Sequence, residues 1–227
     1  MAKLEFKDGR EVHVDEDKLI AEIKEGEAAY GRDILEYDPF VNPGNEITRE
    51  DVEAAFRIAR KPRSKAELTA VHNAIKKNKN FYDAFRLIEL GTDLFTTDEA
   101  DVNDAITGPL KDLVVGLVDL KNVDVAVATK ILHLKRPSLV PILDRYIFAF
   151  YSYLYVAGKG QRNVGTSLRL LREFRADGRN NLNILNVLGD RMNDAANKKL
   201  PPGQKVSLTP VRVLDRIIWR HIKKRTG

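Results

Sequence analysis

Residues 121–147 read KNVDVAVATKILHLKRPSLVPILDRYI: an Asn-Val-Asp turn, an apolar segment of helical period, Lys-Arg-Pro, and a closing Pro-Ile-Leu-Asp. Asp144 follows the apolar Val140, Ile142 and Leu143 directly. Two readings of it stand. An Asp behind a proline turn is a helix N-cap, which accepts backbone N–H groups and favours the helix dipole. The same position can hold a carboxylate in a pocket for chemistry.

On either side of this stretch the pattern is helical. Upstream, KLEFKDGREVHV alternates about Asp8-Gly9 and predicts a β-hairpin with a two-residue turn. Thr48 with Asp51, Ser64 with Glu67 and Thr96 with Glu99 each have the spacing of a capping box. Asn80 opens a helix that runs to Gly91. Downstream, LDRYIFAFYSYLYV reads as one long aromatic-rich helix, two more follow, and the last starts at Thr209-Pro210. The expectation is an all-α protein of about ten helices behind one small hairpin, since no strand–helix alternation supports a nucleotide-binding sheet. It forms one helical unit, or two lobes: a hairpin at 1–14 with an acidic part at 15–120, and a basic part at 121–227.

The 227 residues include no cysteine, which excludes disulfides and thiolate metal sites, and four dispersed histidines make a histidine metal site a poor expectation. We expect no cofactor. No apolar run has membrane-spanning length and the opening MAKLEFKDGREV is unlike a signal peptide, so a cytoplasmic protein with no membrane partner is expected. The net charge of +5 conceals an asymmetry: residues 121–227 carry 21 Lys and Arg against 7 Asp and Glu, and residues 1–120 carry 17 against 26. A basic half is the footprint of nucleic-acid binding, or it packs on its own acidic half.

One local echo stands out. PILDRYI (141–147) and VLDRIIW (213–219) share Leu-Asp-Arg-x-Ile near a proline. In the plain reading, Asp144 and Asp215 each cap a helix and pair with a nearby Arg.

The opening stretch resembles the helix-hairpin-helix DNA glycosylases, most closely their adenine-removing branch, in its Pro-Ile-Leu-Asp turn. It also resembles a family of uncharacterised bacterial proteins that share Lys-Arg-Pro-x-Leu-x-Pro-x-x-Asp, which brings no established activity. The glycosylase resemblance implies Asp144 as the catalytic carboxylate, stabilising an oxocarbenium-like transition state. It sets Asn122-Val123-Asp124 on the phosphate-facing hairpin, where Asn and Asp tolerate the positive φ that glycine usually supplies. Lys121, Asn122, Val123, Asp124, Val125, Lys135, Arg136 and Arg145 then become the expected contacts to double-stranded DNA, although the Asp124 charge opposes a phosphate. Tyr146 and His133 become candidates for the base pocket, His133 alternatively packing beneath the turn. An early-helix Glu protonates the base in that branch, and Glu53 is the implied counterpart. The lysine of bifunctional enzymes falls on Ala126, which implies a monofunctional enzyme. Lys130, one turn on, is a displaced nucleophile, or a solvent-facing or Asp-paired lysine. The alternatives are a non-catalytic nucleic-acid-binding protein of the same fold, and a helical interaction or toxin–antitoxin component.

Overall fold

The structure is a computed structural model that describes residues 1–25, 29–59, 63–154 and 163–226. Strands β1 (Ala2–Glu5) and β2 (Glu11–Val14) pair antiparallel, with Leu4 opposite Val12 and Glu5 opposite Glu11. The turn between them has three residues, Lys7–Gly9, rather than two. Phe6 N donates to Arg10 O at 2.9 Å and Gly9 N to Phe6 O at 2.9 Å, and Gly9 takes the left-handed conformation at φ 84°. That is the type I turn plus left-handed residue typical of three-residue hairpins.

Helices fill the rest. They are α1 (Glu16–Glu25), α2 (Ala29–Tyr37), α3 (Arg49–Ile58), α4 (Lys65–Lys77), α5 (Lys79–Arg86), α6 (Glu99–Thr107), α7 (Pro109–Val118), α8 (Val125–Lys135), α9 (Arg145–Phe150), α10 (Val164–Asn180), α11 (Leu182–Asn197) and α12 (Pro210–Thr226). Short 3-10 turns follow α2 at Asp38–Phe40 and α9 at Ser152–Leu154. The protein is mainly helical with one small antiparallel sheet.

Local chemistry explains where several helices start and stop. Thr48 and Asp51 form a reciprocal capping box at α3, and Ser64 and Glu67 form another at α4. The expected box at Thr96 and Glu99 does not form. Asp93 instead accepts the amides of Phe95 at 2.8 Å and Thr96 at 3.0 Å, and α6 starts from Asp98 without a side-chain cap. The helix expected from Asn80 to Gly91 is α5, capped by Asn78 and ended at Arg86. The long aromatic helix expected after Pro141 also stops early, at Phe150. Tyr151 turns into the core there and donates its hydroxyl to buried Asp177 at 2.8 Å.

The main apolar cluster draws on residues from Leu4 to Trp219, so residues 1–120 and 121–227 share it. Helix α12 packs against α9 and α11, and α3 against α8. The hairpin is pinned by two polar side chains of α10 and its C-cap. Asn181 accepts from Glu5 N at 2.9 Å and donates to Glu5 O at 2.8 Å, and Asp177 accepts from Lys7 N at 2.7 Å. The Asn181 pair satisfies Glu5 at the end of β1 as a neighbouring strand would.

The charge asymmetry resolves in part within the molecule. Arg212 pairs with Asp38, Arg216 with Asp33, Arg220 with Glu22, Arg191 with Glu16 and Asp17, and Lys135 with Asp51. These five cations of the basic half thus meet acids of the first half, which reduces the charge left for an outside partner.

Candidate functional site

The segment between α8 and α9 is built to place Asp144. Arg136 ends α8, and its carbonyl accepts the amides of Leu139 at 3.0 Å and Val140 at 2.9 Å. Pro137 and Pro141 cannot extend a helix, which keeps the chain in turns. Val140, Ile142 and Leu143 are buried, and Leu143 N donates to the Thr129 hydroxyl at 3.0 Å. Asp144 then caps α9, its Oδ1 accepting from Tyr146 N at 2.8 Å and Ile147 N at 3.3 Å.

The capped carboxylate also borders a cavity of about 330 Å³. Helix α8 and its cap contribute Asp124, Ala126 and Lys130. The α9 start gives Asp144, Arg145 and Tyr146, and α12 gives Arg212, Asp215, Arg216, Trp219 and Lys223. Asp33 of α2, Ile58 with Ala59 at the end of α3, and Ile142 before α9 complete the wall.

The floor is a buried ion network. Arg212 donates from Nε and Nη2 to Asp38 at 2.8 and 3.2 Å, and from Nη1 to Asp215 at 2.5 Å. Burial opposes the Arg212 charge, but the two carboxylates outweigh it and push its pKa upward. Burial is also the main influence on Asp215 and drives its carboxyl up to about 6; Arg212 pulls down and the Asp144 charge pushes up. Lys130 is buried, its ammonium 3.4 Å from Ala126 O. Desolvation lowers its pKa, and Asp144 and Asp215 partly offset this.

The upper wall is aromatic and cationic. Tyr146 meets Trp219 edge-on with centroids 5.2 Å apart. Arg216 and Lys223 each lie 4.6 Å from the Trp219 ring centre, and Arg216 also reaches Asp33 at 3.3 Å. Among the described residues no helix is long and apolar enough to cross a membrane, and no cluster of His, Cys, Asp and Glu could hold a metal ion.

Residues 33–222 match a family of unknown function, DUF6308. The chain belongs to this family. The match includes every cavity-lining residue except Lys223. No curated protein and no solved structure matches the chain.

In this DUF6308 protein, Asp144, Lys130, Asp124, Arg145 and Tyr146 share one cavity. Lys121 and Asn122 are exposed in the turn between α7 and α8, and Asn122 adopts φ 71°. Other expected positions require correction. Val123 and Val125 are core residues, and the Asp124 carboxylate itself accepts Val127 N at 3.0 Å, taking up an amide expected for a phosphate. Lys135 is buried against Asp51 at 2.7 Å and the Asn42 side-chain oxygen, so it cannot reach DNA. Arg136 is likewise internal: it donates to the carbonyls of Gly44, Phe85 and Ile88 and to the Asn45 side chain.

His133 is no pocket wall. It is buried, with Nδ1 2.6 Å from Val140 O, and desolvation with the nearby Arg212 charge lowers its pKa to about 3. Glu53 does not line the cavity, and its carboxylate accepts from Arg49 at 2.9 Å on the same helix.

Sequence reasoning passed over Asp33, Arg212 and Trp219, and read Asp215 as a helix cap paired with an Arg. The Leu-Asp-Arg-x-Ile echo was the available signal, because both of its aspartates border the same cavity. Asp215 is not an N-cap: it lies beyond the first turn of α12 and binds Arg212 one turn back.

Proposed function

We propose that this chain hydrolyses an N-glycosidic bond of a nucleotide in DNA, as a monofunctional glycosylase-like enzyme. One observation carries the reading. Asp144 is fixed by two backbone amides and borders a cavity that also receives Asp215. Two carboxylates in different environments are what glycosidic cleavage requires.

Asp144 stabilises the positive charge that develops at the sugar carbon and orients the attacking water. Asp215, whose carboxyl titrates near 6, supplies a proton to the departing base nitrogen. The bond from sugar carbon to base nitrogen breaks, and the water oxygen bonds to that carbon. The water then gives up a proton as Asp215 is reprotonated from solvent. Lys130 lowers the cost of placing both carboxylates together in a buried site.

The test is abasic-site formation on duplexes and single strands carrying a panel of damaged bases, with Asp144→Asn beside the unaltered protein. Asn keeps the cap, so the fold is preserved. Base release that disappears in Asp144→Asn while nucleic-acid binding persists supports the proposal. Absence of release across the panel, or release unchanged by the substitution, refutes it.

A further inference from the structure

The cavity is electrically two-ended. Its inner lining holds the acids Asp124, Asp144 and Asp215 against the cations Lys130 and Arg212, and Asp38 pairs with Arg212 behind that lining. Its rim carries Arg145, which is exposed, and Lys223, which is half-buried. Arg145 donates to the Tyr146 hydroxyl at 2.7 Å and its guanidinium lies 4.7 Å from the Tyr146 ring centre. Lys223 rests on Trp219. Neither has a carboxylate within ion-pair distance among the described residues. In contrast, Arg212, Arg216 and Arg220 of the same helix α12 each hold one. Aromatic rings hold a cation in place without neutralising it, so both charges remain available to an anion.

We infer that the cavity binds a nucleotide by its phosphate, gripped between Arg145 and Lys223 at the rim, with the sugar directed at Asp144. This rests on the glycosidic reading for the direction of the sugar and adds the class of ligand. A ligand with an anion at one end and hydroxyls or developing positive charge at the other matches the two ends of the cavity. A sugar phosphate has that make-up, either as a free nucleotide or within a nucleic-acid strand. Of the cations expected to hold a DNA backbone, Lys135 and Arg136 are internal and Lys121 lies in the α7–α8 turn outside the cavity lining, which leaves Arg145, together with Lys223, to meet a phosphate there.

Trp219 is the only tryptophan of the chain and lines this cavity, so its emission reports occupancy without any need for turnover. The experiment titrates the full chain with adenosine monophosphate, adenosine, and a short oligothymidylate, following Trp219 fluorescence with calorimetry in parallel. The same titrations are run on a double variant, Arg145→Gln with Lys223→Gln. The expected result is saturable binding of a phosphate-bearing probe, weakened at least about tenfold in the double variant, with adenosine at least about tenfold weaker than its monophosphate wherever the monophosphate binds. Binding of the monophosphate points to a free nucleotide, and binding of the strand alone points to single-stranded nucleic acid; both support the inference. Three results overturn it: no saturable response to either phosphate-bearing probe, equal affinity for adenosine and its monophosphate, or a double variant that binds as the unaltered protein does. Saturable binding with no base released in chromatography keeps the phosphate grip and sinks the hydrolase. Base release undiminished in the double variant does the reverse.

Discussion

Arg212 Nη1 lies 2.5 Å from Asp215 Oδ2, one turn along α12, while the same guanidinium clamps Asp38 from the other side of the chain. All three side chains are about 2% exposed. Removing the cation leaves two buried acids without their partner. Arg212→Met should therefore destabilise the fold by about 3–5 kcal/mol, measured by urea denaturation at neutral pH. An additional Asp38→Asn change should recover part of that loss, and a double variant no more stable than the single one would refute the account.

Asp215 and His133 link stability to pH in opposite directions. The Asp215 carboxyl is raised from 3.8 to about 6 on folding, so its contribution is present below about pH 4 and lost as pH rises through 6. The His133 imidazole is lowered from 6.5 to about 3, so its contribution is present above 6.5 and lost as pH falls toward 3. Between about pH 4 and 6 the two slopes oppose each other, each at most about 1.4 kcal/mol per pH unit. Relative to the unaltered protein, Asp215→Asn should gain stability as pH rises over this window and His133→Gln should lose it. Denaturant midpoints at closely spaced pH values check both signs.

Asp144 makes a cap as well as a cavity wall. Asp144→Ala should cost about 1 kcal/mol through the loss of the one oxygen that accepts two N–H groups at α9, and Asp144→Asn about a few tenths. Thermal unfolding of the pair separates the cap from any chemical role, since only the proposed hydrolysis should suffer equally in both.

Gly178 lies on α10 against Phe95, where an added Cβ would come within 2.1 Å of ring carbons. Gly178→Ala should therefore destabilise by about 1–3 kcal/mol despite the better helix propensity of alanine. Combining it with Phe95→Leu should give less than the sum of the two losses, as a double-mutant cycle would show.

Lys135→Met should behave as a folding defect. It leaves Asp51, 1% exposed, without a cation and with only the Thr48 amide as partner among the described residues, and should cost about 3–5 kcal/mol by chemical denaturation. The salt dependence of any nucleic-acid binding should be unchanged in the folded fraction.

What was legible in the sequence was local. The hairpin, the boxes at Thr48 and Ser64, the left-handed Asn122 and the Asp144 cap each depend on residues a few positions apart. The cavity depends on contacts across most of the chain: Arg212 meets Asp38 over a separation of 174 residues. No periodicity encodes that meeting. Residue type misled at Lys135 and Arg136, because cations are ordinarily solvated and only tertiary packing brings carbonyls and a carboxylate to these two. Trp219 reads from sequence as one more apolar residue of an amphipathic helix, and only the approach of α9 to α12 gives it Tyr146 as a neighbour.

The dependence of the cavity on α12 sets an order of events during synthesis. Helices α8 and α9 can form their turn and cap Asp144 as soon as they leave the ribosome, since those bonds are local. Arg212, Asp215, Arg216 and Trp219 are added some seventy residues later. Until then Asp38 has no guanidinium and Lys130 no Asp215, so a nascent chain stalled before α12 would hold a finished turn beside an unfinished site.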